Sequence, residues 1–76
     1  MELIPSERAV LGQIRMLFLE ASLRTYRFTV LTARWPATHF DAYRAGYMGL
    51  VQKGLIVRSA DAQLFSITNA GLQAMK

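Results

Sequence analysis

The sequence predicts a mostly helical α+β domain: a three-helix core, a two- or three-stranded antiparallel hairpin region and a short C-terminal helix. Three observations carry this. An apolar period at Phe40, Tyr43, Tyr47, Leu50 and Val51 marks one face of a helix, and Gly54 sits where a left-handed glycine stops it. Two β-rich runs follow, Leu55-Ile56-Val57-Arg58-Ser59 and Gln63-Leu64-Phe65-Ser66-Ile67, separated only by Ala60-Asp61-Ala62. Thr68 then stands as the N-cap of a new helix.

Taken in order, residues 1–5 form a leader ending in Pro5, and helix one is expected over 6–23. Ser6 is its expected N-cap, and Glu7 places an acid in the first turn, where the helix dipole favours it. Val10, Ile14, Leu17 and Ala21 share one face, flanked by Leu11 and Phe18, and form the expected core stripe. On the opposite side Gly12, Met16, Leu19 and Leu23 make a second apolar stripe. A lone domain needs one stripe, so the second is either a homodimer seam or a surface covered by the fourth helix or the leader.

Arg24 to Phe28 alternates polar and aromatic residues and suits a short strand or an extended linker. Thr29 is the expected cap of helix two, over 29–35, with Val30, Leu31 and Ala33 inward; Pro36 ends it. Helix three is expected over 38–53, with Thr38 as N-cap and Asp41 reaching back to it. The hairpin covers 55–67. The last helix covers 69–76, with Leu72 and Met75 on one face.

Composition bounds the function. Seventy-six residues make one domain with a small core, burying about 60% of its extended-chain surface. Nine Lys and Arg against five Asp and Glu give a net charge of +4, which favours a polyanionic partner. There are no cysteines, so neither a disulfide nor a thiolate metal site is expected, and a reducing cytoplasm suits the chain. No uncharged apolar run reaches the roughly 18–20 residues that span a bilayer, and Glu2 and Glu7 argue against a signal peptide.

Two local patterns add a resemblance. Leu50-Val51-Gln52-Lys53-Gly54-Leu55-Ile56 is similar to an L-x-x-K-G-L-I in which the last core leucine of a helix precedes its glycine cap and the next strand. Phe65-Ser66-Ile67-Thr68-Asn69-Ala70-Gly71 is similar to a second strand running into x-L-T-x-x-G. Together with the order of elements they resemble the winged helix-turn-helix superfamily of small bacterial and phage regulators, nearest in style to the MarR- and PadR-like wing region.

That resemblance implies a cytoplasmic transcriptional regulator that binds double-stranded DNA, with helix three in the major groove and the hairpin, or wing, against the backbone. On this chain it makes Arg44 the candidate for reading guanine and Gln52 for reading adenine. Arg24, Arg27, Arg34 and Arg58 become candidate phosphate contacts. Thr38 and His39 lie at the helix N-terminus, where N–H groups meet phosphate, and Lys53 lies on the helix flank.

The outer face of helix three is otherwise small and flat, expected to comprise Asp41, Ala42, Ala45, Met48, Gly49 and Gln52, and the hairpin tip carries Asp61 rather than a base. Those features equally suit a winged helix repurposed for protein binding, such as an adaptor or a mobile-element inhibitor of a nucleic-acid enzyme. Enzyme chemistry is not expected, because the acids are scattered and A-G-Y-M-G lacks the ending of a phosphate-binding loop. The single histidine, His39, has no partners for a metal site, and no cofactor is expected. Trp35, Phe28, Phe40, Tyr43, Tyr47 and Phe65 are assigned to the core rather than to base stacking.

Overall fold

The computed structural model describes residues 2–75. Four helices and a three-stranded antiparallel sheet follow in the order α1 (Pro5–Ala21), β1 (Thr25–Arg27), α2 (Phe28–Thr32), α3 (Phe40–Gln52), β2 (Ile56–Arg58), β3 (Leu64–Ile67) and α4 (Asn69–Ala74). The sheet order is β1-β3-β2.

Helix α1 starts earlier than Ser6 allows, with Ile4 as the capping residue and Pro5 in the first turn. Proline fits there because its missing N–H would have had no helical partner. The Glu7 carboxylate accepts the Ile4 N–H at 3.0 Å and so replaces the expected serine cap. The helix stops at Ala21, short of Leu23, because Ser22 turns left-handed (φ 58°) and donates its N–H to the Phe18 carbonyl at 2.8 Å. Tyr26 holds this turn: its hydroxyl donates to the Leu17 carbonyl and accepts the Leu23 N–H, both at 3.1 Å. Val10, Leu11, Ile14 and Leu17 are buried as expected, whereas Ala21, in the last turn, is exposed.

Helix α2 is capped by Arg27, not Thr29, because the N–H of Phe28 is already taken by the Gln63 carbonyl at 2.8 Å. It ends at Thr32, and the chain tightens through Arg34 N–H to Leu31 and Trp35 N–H to Thr32 before Pro36. Of the three residues expected inward, Leu31 is buried; Val30 and Ala33 are exposed. A single 3-10 turn, Ala37–His39, leads into α3. Thr38 therefore lies inside that turn and does not cap α3; its hydroxyl is bonded to His39 Nδ1 at 2.9 Å.

The exit from α3 is a Schellman turn. Gly54 has φ 74°, its N–H donates to the Val51 carbonyl, and the Leu55 N–H donates to Leu50. In the hairpin, Ala62 takes the left-handed position (φ 59°) after a turn closed by its N–H to the Ser59 carbonyl at 3.0 Å. Asp61 fastens the loop by accepting the Ser59 hydroxyl at 2.7 Å and the Gln63 N–H at 3.1 Å. Thr68 caps α4 as expected, accepting the Gly71 N–H at 3.0 Å.

The core lies between α1, α3 and the inner face of the sheet. Ile14, Tyr47, Leu50 and Phe65 are fully enclosed there. Helix α1 crosses α3 at Gly46 and Gly49: a Cβ at Gly46 would collide with the Ser6 carbonyl, and one at Gly49 with the Glu7 carboxylate. The glycines of A-G-Y-M-G are thus the contact surface for α1. Trp35 anchors the segment between α2 and α3 by donating its Nε1–H to Gln13 of α1 at 2.9 Å. Phe28 and Tyr43 pack around it, and Phe40 lies against its ring while remaining 39% exposed. Among the described residues, no helix is long and apolar enough to cross a membrane.

Candidate functional site

The residues expected to meet a polyanion divide into two groups once their partners are known. Arg24 is exposed but tied to the fold, donating to the Ile67 carbonyl at 2.9 Å and to Asn69 Oδ1 at 3.2 Å. Arg34 pairs with Glu20 at 3.2 Å. Lys53 donates to the Glu2 carbonyl at 3.1 Å and forms an ion pair with Glu7. Glu7 is buried, and the Lys53 hydrogen bond holds its carboxyl below the usual carboxylate range, helped by the Ile4 N–H and opposed by burial.

Arg27, Arg44 and Arg58 belong to neither ion pair found among the described residues. Two of them converge. Arg58 pairs across the sheet with Phe65, whose side chain faces the core, so the pleat turns Arg58 toward α3 as well. Arg44, Tyr47 and Met48 stand at i, i+3 and i+4 on α3 and share one edge of that helix. These residues, with Phe28 and Ala62, line a notch of about 100 Å³ between α3 and the hairpin. Arg27 faces the other way, on the outer sheet face with Thr25, Val57, Leu64 and Ser66.

Tyr47 is the notch residue that sequence reasoning assigned wholly to the core. Its ring is indeed enclosed, at 2% exposure, against Phe28 and Phe65. Its hydroxyl, however, is buried without a hydrogen-bond partner. Burial raises the Tyr47 pKa and the Arg58 charge opposes that rise, so at neutral pH the group is a neutral phenol. An orphan hydroxyl has no signature in sequence, since it depends on what the hairpin brings above α3.

The other expected contacts are spread out. Thr38 and His39 are exposed before α3 and bonded to each other. Gln52 is exposed at the far end of α3, eight residues and about 12 Å along the axis from Arg44. Asp41, Ala42 and Ala45 are exposed on the outer face; Met48 is half-buried, and Gly49 faces α1 instead. On α1, Met16 (48% exposed) and Leu19 (60%) stand open, as does Leu23 (55%) just beyond its end. Neither α4 nor the described part of the leader covers them. Gly12 borders an open groove of about 560 Å³ between α1 and the end of α4. Among the described residues no cluster of His, Asp and Glu is placed to hold a metal ion.

The sequence matches no known protein-family model, and comparison with curated proteins and with solved structures likewise found no match.

Proposed function

We propose that this chain is a winged helix-turn-helix protein that binds duplex DNA, with α3 entering the major groove and the β2–β3 hairpin acting as the wing. The observation that carries this reading is the meeting of Arg44 from α3 with Arg58 from the hairpin at one notch, both without a carboxylate partner. The order of elements, the β1-β3-β2 sheet and the net charge of +4 support it. Arg24, Arg34 and Lys53 serve the fold in this reading, and the DNA contacts contract to Arg44, Arg58, Arg27 and the Thr38-His39 turn. The biological role that fits is transcriptional regulation by a homodimer joined through Gly12, Met16, Leu19 and Leu23.

Fluorescence anisotropy on a mixed-sequence duplex tests the reading. Affinity should fall steeply with added salt, because phosphate contacts release counterions. The double variant Arg44→Ala/Arg58→Ala should lose most of it. No binding by the wild-type chain at low salt would end the proposal.

One observation favours a protein partner instead. Val57 (54% exposed) and Leu64 (40%) place apolar surface on the outer face of the hairpin. Under that reading a stoichiometric partner is captured by the wild-type chain and lost on Ala45→Glu or Val57→Glu, while duplex DNA is ignored.

A further inference from the structure

We infer that the notch between α3 and the hairpin is a seat for a single backbone phosphodiester of duplex DNA, in which the Tyr47 hydroxyl donates directly to a non-bridging oxygen between Arg44 and Arg58. The assignment rests on the DNA-binding reading above and makes Tyr47, a core residue by sequence, a ligand-contacting one.

Three features of the site converge. The first is the unpartnered hydroxyl. Buried polar groups are almost always hydrogen-bonded, and one left alone is costly, so it is either tolerated for packing or completed by something that binds. The second is charge. Two guanidinium groups border the same small space, and neither is neutralised by a carboxylate among the described residues. A neutral phenol O–H and two guanidinium groups can all donate to an anion, and no carboxylate lines the notch to repel one. The third is size. At about 100 Å³ the notch holds a few heavy atoms. Small-molecule pockets occupy roughly 300–1,000 Å³, so an effector or an extruded base does not fit, whereas the oxygens of one phosphate do.

Access sets a condition. The hydroxyl is sealed from bulk water, so a phosphate oxygen reaches it only when the lining of the notch shifts. Arg44 and Arg58 are exposed and long, and each would grip the same phosphate with its fork. The seat therefore closes around its ligand. Arg58 comes from the hairpin and Arg44 and Tyr47 from α3, so one phosphate would also fix the hairpin relative to the helix.

The experiment is duplex-DNA anisotropy across a salt series for the full chain. Tyr47→Phe removes one neutral donor and no charge. It should weaken binding about tenfold and leave the slope of log K against log salt unchanged. Arg58→Ala removes one of the two cations on that phosphate, so it should weaken binding and reduce that slope by no more than about one. Arg15→Ala, on the far stretch of α1, should do neither. If Tyr47→Phe fails to fold, Arg44→Ala and Arg58→Ala together should lower the slope by about one, the share of a single phosphate, and either an unchanged slope or a loss of about two, which puts the arginines on separate phosphates, overturns the seat. If Tyr47→Phe folds and binds as tightly as wild type, the seat is wrong while the DNA-binding reading stands. If wild type binds no duplex at all, both fall.

Discussion

The most consequential single contact is between Glu7 and Lys53, the one ion pair among the described residues in which the acid is buried. Glu7 closes the start of α1, fills the space left by Gly49 and accepts from Lys53 at the end of α3. Its folded pKa is depressed, chiefly by the Lys53 hydrogen bond. Its contribution to stability is therefore complete above its unfolded pKa of about 4.3 and is lost as pH falls through the lower folded value. Thermal melts between pH 6 and pH 3 should show Tm falling with acid in the wild type and falling less in Glu7→Gln. Some slope should remain in that variant, because the Ser59 hydroxyl and the Gln63 N–H depress Asp61 in the same direction. Lys53→Met should be worse than Glu7→Gln at pH 7, since it leaves a buried carboxylate without its cation. A Glu7→Gln curve parallel to wild type would show that the pair does not set the acid response. Either residue was legible alone, as a first-turn acid and a flanking lysine. Their meeting was not, because the two lie 46 positions apart and no local pattern joins them.

At the scale of elements, the local stop and start signals were the readable ones. Gly54 and Thr68 act through hydrogen bonds to residues within a turn or so, and both do what their neighbourhood predicts. Ser6 and Thr38 are equally good capping types and fail, because Pro5 and the 3-10 turn after Pro36 move the helix starts past them. The pairing of β1 with β3 joins Thr25 to Ser66 and depends on the whole fold. The glycines of α3 show the same division. Their place on the helix was plain, but which neighbour they admit was not, and Gly49 faces α1 rather than a groove of DNA. Gly46→Ala should be strongly destabilising, about 3 kcal/mol, since the obstructing atoms are backbone atoms of Ser6 that have little room to yield. Gly12→Ala should stabilise by about 0.5–1 kcal/mol, because nothing lies within 4 Å of the added methyl and helical glycine is entropically costly. Each kcal/mol moves the Tm of a domain this size by roughly 4–8 °C, so calorimetry resolves both effects. Similar losses from the two variants would mean that α1 does not cross α3 as described.

For the whole molecule the open question of form is what covers α1. The apolar positions Met16, Leu19 and Leu23 face solvent in a domain whose own core is already closed on the other side of the same helix. A second copy presenting the same stripe would bury it by two-fold symmetry, which is the commonest closed assembly. The expected outcome is a wild-type dimer in analytical ultracentrifugation, with a Tm that rises with protein concentration, as mass action requires. Met16→Lys/Leu19→Lys should sediment as a folded monomer whose Tm no longer depends on concentration. Under the proposed DNA-binding role, its footprint on duplex DNA should shrink from two protected patches to one, with weaker binding. If that variant is unfolded when dilute, the stripe contributes to the stability of the single chain. If wild type is a monomer throughout, the seam is absent and the two-patch footprint should be absent with it.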